Sequence, residues 1–436
     1  MKNLIETLKN IWKIEELRGR ILTTLGFLLI YRLGSFVALP GIDPQQLDAL
    51  QNQTSDGILG LLNMFTGGAF SQASIMALGI MPYISASIVI QLMTMAVPYL
   101  QKLQKDGESG RTKISQITRY LTVLITCFQA PGYIANLTAT LPPEAFLLSS
   151  GSFWFSSIVI LVTGTMFAMW LGEKITDRGI GNGISLLIMV GIIAVLPQAF
   201  LFEVGRAKPL IILVELVIMM VVILASVLLV QGVRRIPIQY AKRGASAQIA
   251  AARQYLPLKV NASGVMPIIF AQAIMFIPPL ALAGLSESEG VQNFVATFSD
   301  FSGFWYNFVF AILIIIFTYF YTAITVNTNQ MADDLKRNGG FIPGVKPGKD
   351  TAGFLDGVMS RIVLPGSVFL AFLAILPAFA MNAGINQSFA QFFGGTSLLI
   401  MVGVVLDTLQ QIEGYLLNRH YDGLMKSGRL TGKSGM

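Results

Sequence analysis

The chain has 436 residues, 54% of them hydrophobic and 12% charged, with a formal net charge of +7. Soluble domains carry about 25% charged residues, so an ordinary soluble globular domain is excluded. One cysteine, Cys127, and one histidine, His420, exclude disulfide frameworks, thiolate clusters and imidazole metal sites.

Residues 1–20 interleave Lys2, Lys9, Lys13, Arg18 and Arg20 with Glu6, Glu15 and Glu16, and show no small-residue cleavage pattern. They predict an amphipathic helix on the cytoplasmic face. Ten apolar stretches follow, near 21–39, 59–98, 115–137, 153–171, 183–202, 210–230, 264–285, 304–326, 362–381 and 397–417. About 20 apolar residues suffice to cross a bilayer, which predicts ten transmembrane helices. The 59–98 stretch is too long for one crossing and is interrupted at Gly67-Gly68. It predicts a re-entrant segment, which survives at membrane depth only inside protein or beside water. An interfacial helix followed by an ordinary span is the alternative. Gly179-Ile-Gly-Asn-Gly183 lacks dinucleotide-binding spacing and reads as a flexible turn opening a membrane helix. Two long segments, 231–261 and 327–360, are predicted to be loops. Gly428–Ser434 resembles a phosphate-binding loop but has three residues between its glycines where four are needed. No enzyme and no cofactor is expected, and any energy source must come from another protein.

Threading the stretches alternately from a cytoplasmic N-terminus puts all but three of the 30 Lys and Arg residues on one side. The exceptions are Arg32, Arg206 and Lys208. The positive-inside bias therefore predicts a multi-pass protein with both ends in the cytoplasm. Counting gives two five-helix halves of opposite orientation, 21–205 and 206–417, and a cytoplasmic tail, 418–436; such inverted repeats surround a central path. Apart from Arg119 at the inner end of the 115–137 stretch, the charges within the spans are Arg32, Glu215, Asp407 and Glu413. Arg32 is placed to snorkel at the outer end of its helix, while Glu215 and Asp407 read as deep and outside any polar cluster. A secondary transporter of a small solute would need a polar midplane. A channel with a hydrophobic constriction fits better, and the transporter remains the alternative.

Several strings occur in order: Asn63-Met-Phe-Thr-Gly-Gly68, Leu78-Gly-Ile-Met-Pro-Tyr-Ile-Ser-Ala-Ser87, Gly107-Glu-Ser-Gly-Arg-Thr-Lys-Ile-Ser115, Arg178-Gly-Ile-Gly-Asn-Gly-Ile-Ser185, Leu256-Pro-Leu-Lys-Val-Asn261 and Gly394-Gly-Thr-Ser-Leu-Leu-Ile400. Through them the chain resembles, end to end, the SecY family, the channel subunits of the bacterial protein-export translocon. The resemblance implies an all-α membrane protein with a central pore, closed by a ring of Ile80, Ile84, Ile188, Ile269 and Ile400. It implies a plug over 61–74, including Leu61, Asn63, Phe65, Gly67, Gly68 and Ser71, whose glycines give it freedom to swing. A lateral gate would use Ser85, Ser87, Gln91, Thr118, Asn261 and Ile277.

Arg234, Arg235, Lys242, Arg243, Arg253, Lys336, Arg337, Lys346 and Lys349 would dock the SecA motor ATPase or ribosomal RNA phosphates. Lys346 stands where the family commonly has arginine, keeping charge but losing the bidentate fork. Further implied partners are SecE and SecG-like small subunits, signal peptides and nascent chains, and membrane lipids. The implied location is a bacterial plasma membrane.

Overall fold

The computed structural model describes residues 12, 14–47, 50, 57–240, 254–282, 297–298 and 300–427. Most of the predicted 1–20 helix and of the tail beyond 427 therefore lies outside the described residues.

Each of the ten apolar stretches carries a helix. The described α-helices of the first half of the chain are α1 (Glu15–Ser35), α2 (Gly57–Phe65), α3 (Met81–Ala96), α4 (Pro98–Lys105), α5 (Gly107–Thr140), α6 (Ser150–Arg178) and α7 (Gly183–Arg206). In the second they are α8 (Pro209–Gln231), α9 (Met266–Leu282), α10 (Phe304–Thr325), α11 (Thr328–Arg337), α12 (Lys349–Asn382), α13 (Gln387–Ala390) and α14 (Gly395–Ser427). Among the described residues six helices are long and apolar enough to cross a membrane by themselves, and α3 with α4 forms a pair bent by 101°. The protein is a multi-pass membrane protein.

Local chemistry explains several of the ends. α1 begins on Glu15 and Glu16 and ends past Arg32, which suits the helix dipole at both termini. α8 starts with Pro209, whose missing N–H costs nothing in the first turn. Along α5, Thr118, Thr122 and Thr126 lie on one buried face. Each hydroxyl donates to the carbonyl four residues back, at 2.9, 2.7 and 2.7 Å, so the stripe is buried with its polar groups satisfied.

The chain divides into two compact units. The first comprises 1–198 and 404–436. Within it α1 packs on α6, α3 on α5, and α5 on α6, with Arg119 and Glu173 joining the last pair by a two-pronged ion pair at 3.1 and 2.7 Å. Its core gathers Leu39, Phe70, Ala73, Tyr133, Leu137 and Phe153.

The second unit is 199–403. Here α10 packs on α9 and α12, and α8 on α12. The two segments predicted as loops, 231–261 and 327–360, instead contribute a three-stranded antiparallel sheet of order β2-β1-β3. Its strands are β1 (Val233–Tyr240), β2 (Gln254–Lys259) and β3 (Gly340–Phe341). β1 pairs with β2 from Val233↔Lys259 to Ile238↔Gln254, and with β3 at Gln239↔Phe341 and Tyr240↔Gly340. The signal was the two-residue alternation that buries Ile236 and Ile238 while exposing their neighbours. The all-α expectation thus omits a small extramembrane sheet.

Candidate functional site

α2 has nine residues, a rise of about 14 Å and roughly half a hydrocarbon core. It does not cross; the chain then runs through turns over 66–80, with one isolated bridge from Ser74 to Ala38, before α3 begins. α2 ends in a Schellman arrangement. Gly67, at φ +66°, donates its N–H to Met64 O at 3.0 Å, and Gly68 donates to Asn63 O at 2.8 Å. Gly67 is therefore the helix terminator, a fixed role where the sequence suggested freedom to swing.

The segment is knitted internally. Asn63 Oδ1 accepts the Ser71 N–H at 3.0 Å, Ser71 Oγ donates to Gly68 O at 3.0 Å, and the Thr66 hydroxyl accepts from the Phe70 N–H at 3.2 Å. Of the predicted plug residues, Ser71 is buried and Asn63 and Phe65 are half-buried, while the Leu61 side chain lies outside the described set.

Side chains the sequence reading did not assign here hold the segment from outside. Arg32 Nη1 of α1 donates to Gly67 O at 2.7 Å, so this guanidinium faces the segment instead of snorkelling as expected. Tyr133 of α5 donates to Phe70 O at 2.8 Å. On the α7 side the approach is backbone to backbone: a Cβ on Gly191 would lie 2.7 Å from Phe65 O. A Cβ on Gly164 of α6 would lie 2.0 Å from Ile75 O. The available signals were a lone charge in an apolar helix and glycines inside helices, and neither names its partner.

The five isoleucines of the predicted ring differ in exposure. Ile80, Ile188 and Ile400 are buried, and Ile84 and Ile269 half-buried. Ile80 caps α3 and Ile84 follows one turn later, its N–H bonded to Ile80 O at 3.1 Å, so the two share a face. Among the predicted gate groups, Ser85 donates to Met81 O at 3.2 Å and Thr118 to its own helix. Asn261 accepts from the Ser263 hydroxyl at 3.1 Å. Ser87 and Gln91 are half-buried. Among the described residues, Gln91 Oε1 and Gln272 Oε1 are buried without a hydrogen-bond partner. The Ile277 side chain is outside the described set.

The 179–183 turn is a rigid joint, contrary to the flexible turn expected. Thr24 Oγ1 accepts from the Ile180 N–H at 3.0 Å and Gln411 Oε1 from the Gly181 N–H at 2.9 Å. Thr176 Oγ1 accepts from the Gly183 N–H at 2.9 Å. Only glycine fits at 183, since a Cβ there would lie 2.0 Å from Gly172 O.

On the extramembrane sheet, Arg234 and Arg235 are exposed, as are Lys336, Arg337, Lys346 and Lys349; Lys242, Arg243 and Arg253 lie outside the described residues. Beneath these charges Ile236, Leu258, Ile342, Leu355, Met359 and Val363 form a small core. Pro343-Gly344 makes a type II turn, with Gly344 at φ +85° and the Val345 N–H on Ile342 O at 3.1 Å. The Thr351 hydroxyl donates to Lys346 O at 2.8 Å, fixing the backbone while the Lys346 side chain is exposed.

Of the in-span carboxylates, Glu215 is buried as expected, whereas Asp407 is exposed. Glu203, not singled out before, is buried and accepts the Asn386 N–H at 3.1 Å. Among the described residues no group of three or more His, Cys, Asp or Glu is placed to hold a metal ion.

The SecY family model matches residues 74–409. The chain is 42% identical over 427 residues to "Protein translocase subunit SecY" of Escherichia coli strain K12, covering 96% of each chain. It is 43% identical over 431 residues to the protein of the same name in Vibrio cholerae, again covering 96% of each. Among solved structures it is similar to "The structure of a protein conducting channel", with a TM-score of 0.59 at 16% identity, covering 92% of this chain and 93% of that one. It is also similar to "Sec61 in the Canine ribosome-channel complex from the endoplasmic reticulum", with a TM-score of 0.56 at 15% identity, covering 92% and 93%.

Proposed function

The chain belongs to the SecY family, and on that premise we infer that it is the protein-conducting channel subunit of a translocase, not an enzyme. It passes unfolded secretory chains across the plasma membrane of a bacterium and releases membrane helices sideways into lipid. The observation that carries this is 42% identity over 96% of both chains. A transporter of small solutes is not favoured: the waist positions are isoleucines, and a built polar site at mid-span would be needed instead.

The parts divide as follows. The isoleucines at 80, 84, 188, 269 and 400 make a gasket that closes around a moving chain and excludes water, because apolar rings gate by dewetting. The 61–74 segment is the plug, and its burial supports a closed resting position. Ser85, Ser87, Gln91, Thr118, Asn261 and Ile277 line the lateral gate. Polar contacts between membrane helices contribute only about 0.6–2 kcal/mol each, so a hydrophobic signal helix can compete for the seam.

The exposed basic residues of the sheet and of the Pro-Gly turn dock a SecA-like motor or ribosomal phosphates, and SecE and SecG-like subunits complete the assembly. Both termini face the cytoplasm. The halves 21–205 and 206–417 are the two inverted five-helix repeats.

The test is reconstitution of the purified chain with those small subunits in vesicles, followed by addition of motor, ATP and a secretory precursor. Protease-protected precursor is the expected result. Accumulation of a small solute without precursor transport would instead support the transporter.

A further inference from the structure

We propose that Arg32 is the latch that holds the plug in its closed position, an inference that rests on reading the 61–74 segment as a plug. Three observations converge on it. The first is the bond itself, Arg32 Nη1 to Gly67 O at 2.7 Å, between residues 35 apart in the chain. The second is its location. Gly67 terminates α2, so the guanidinium sits at the C-terminal end of that helix, where the dipole favours a cation. The third is fit. A Cβ on Gly67 would lie 2.7 Å from Arg32 Nη1 and 2.8 Å from Gly191 Cα, so the glycine is held between the arginine and α7.

Arginine suits a latch because it has two low-cost positions. Closed, it makes a charge-assisted bond to a carbonyl that turn geometry leaves outside a regular ladder. Released, its long apolar stem lets the charge reach the outer interface from the last turn of α1. The guanidinium already lies 5.1 Å from the Phe36 ring centre, a second contact that the released state can keep. Tyr133 holds the far part of the segment through Phe70 O. It is buried and lacks a long flexible stem to carry its hydroxyl elsewhere, so it serves as a fixed support. Arg32 is thus a positioning residue for the plug.

The experiment uses the full chain, reconstituted with its membrane partners, in a Cys127→Ser background carrying Ser71→Cys. Two quantities are read: labelling of the new thiol by a membrane-impermeant maleimide added from outside, and resting ion leak. Arg32→Met, which keeps the stem and removes the donors, should raise both by about tenfold to a hundredfold, the range expected for a hydrogen bond to a charged group. Arg32→Lys should recover part of the closed state. In a channel lacking residues 61–74, Arg32→Met should add no further leak.

Wild-type labelling in Arg32→Met, or an equal rise in leak without the plug, would overturn the latch. If deleting 61–74 leaves the leak unchanged, the plug reading itself fails, while thiol labelling still decides whether Arg32 holds the segment. If Arg32→Met does not assemble, the comparison of Arg32→Lys with the parent carries the same test.

Discussion

The 57–80 segment and the extramembrane sheet module solve opposite problems. The first is apolar in sequence and packs Phe70, Ala73 and Ala77 into a core, but its turns also need hydrogen bonds: Arg32 and Tyr133 donate to its carbonyls, and Asn63 and Thr66 accept from its N–H groups. The second is basic in sequence and is fixed by a small apolar core under Leu355 and Ile236. The backbone accounts for the difference. A run of turns leaves carbonyls and N–H groups that must find partners away from water. A strand ladder satisfies its own backbone, so side-chain burial decides its stability.

The largest effect should come from breaking the core. Leu355→Ala removes a fully buried side chain from a small cluster, at a cost of about 2–5 kcal/mol. Limited proteolysis should then cut the 231–261 and 327–360 segments, and motor-driven transport should fail while membrane insertion continues. Resistance equal to wild type would show that the sheet, not the core, holds the module.

Next is Gly191→Ala, which forces a methyl group to within 2.7 Å of Phe65 O. Overpacking of this kind costs about 1–3 kcal/mol, and it falls on the position the segment holds in this structure. Resting conductance in planar bilayers should rise and precursors with defective signals should pass. An unchanged channel would mean that α7 yields and the backbone contact is not a constraint.

A smaller change is expected from Tyr133→Phe, which leaves Phe70 O without its side-chain donor. One neutral hydrogen bond contributes about 0.5–1.5 kcal/mol, so thermal stability should fall slightly and leak should rise less than in Gly191→Ala. A leak larger than that of Gly191→Ala would reverse the ranking of the two contacts.

Lys346→Glu should leave the fold untouched, because the side chain is exposed and only its carbonyl is used, by Thr351. Translocation driven by a SecA-like motor should nevertheless drop sharply. Normal motor-driven transport would reduce this loop to a topology signal.

Much of the architecture was legible beforehand because the length and apolarity of a helix are local properties. The stretches at 153–171, 183–202 and 210–230 all lie inside α6, α7 and α8. The Gly67-Gly68 interruption correctly marked a segment that does not cross. The sheet was missed because the charges of Arg234 and Arg235 masked a short alternation that only pairs once 254–259 is brought alongside.

The 179–183 turn was misread because glycine composition reports what a backbone can do, and its rigidity comes from Thr24 and Gln411, 156 and 230 residues away. Sequence by itself therefore determined the helices and the family, since each follows from runs of neighbouring residues. Tertiary structure alone decided where Arg32 spends its charge, which glycines meet backbone, and which carbonyls Tyr133 and Thr351 occupy or secure. Those contacts depend on side-chain direction across chain separations that no local pattern encodes.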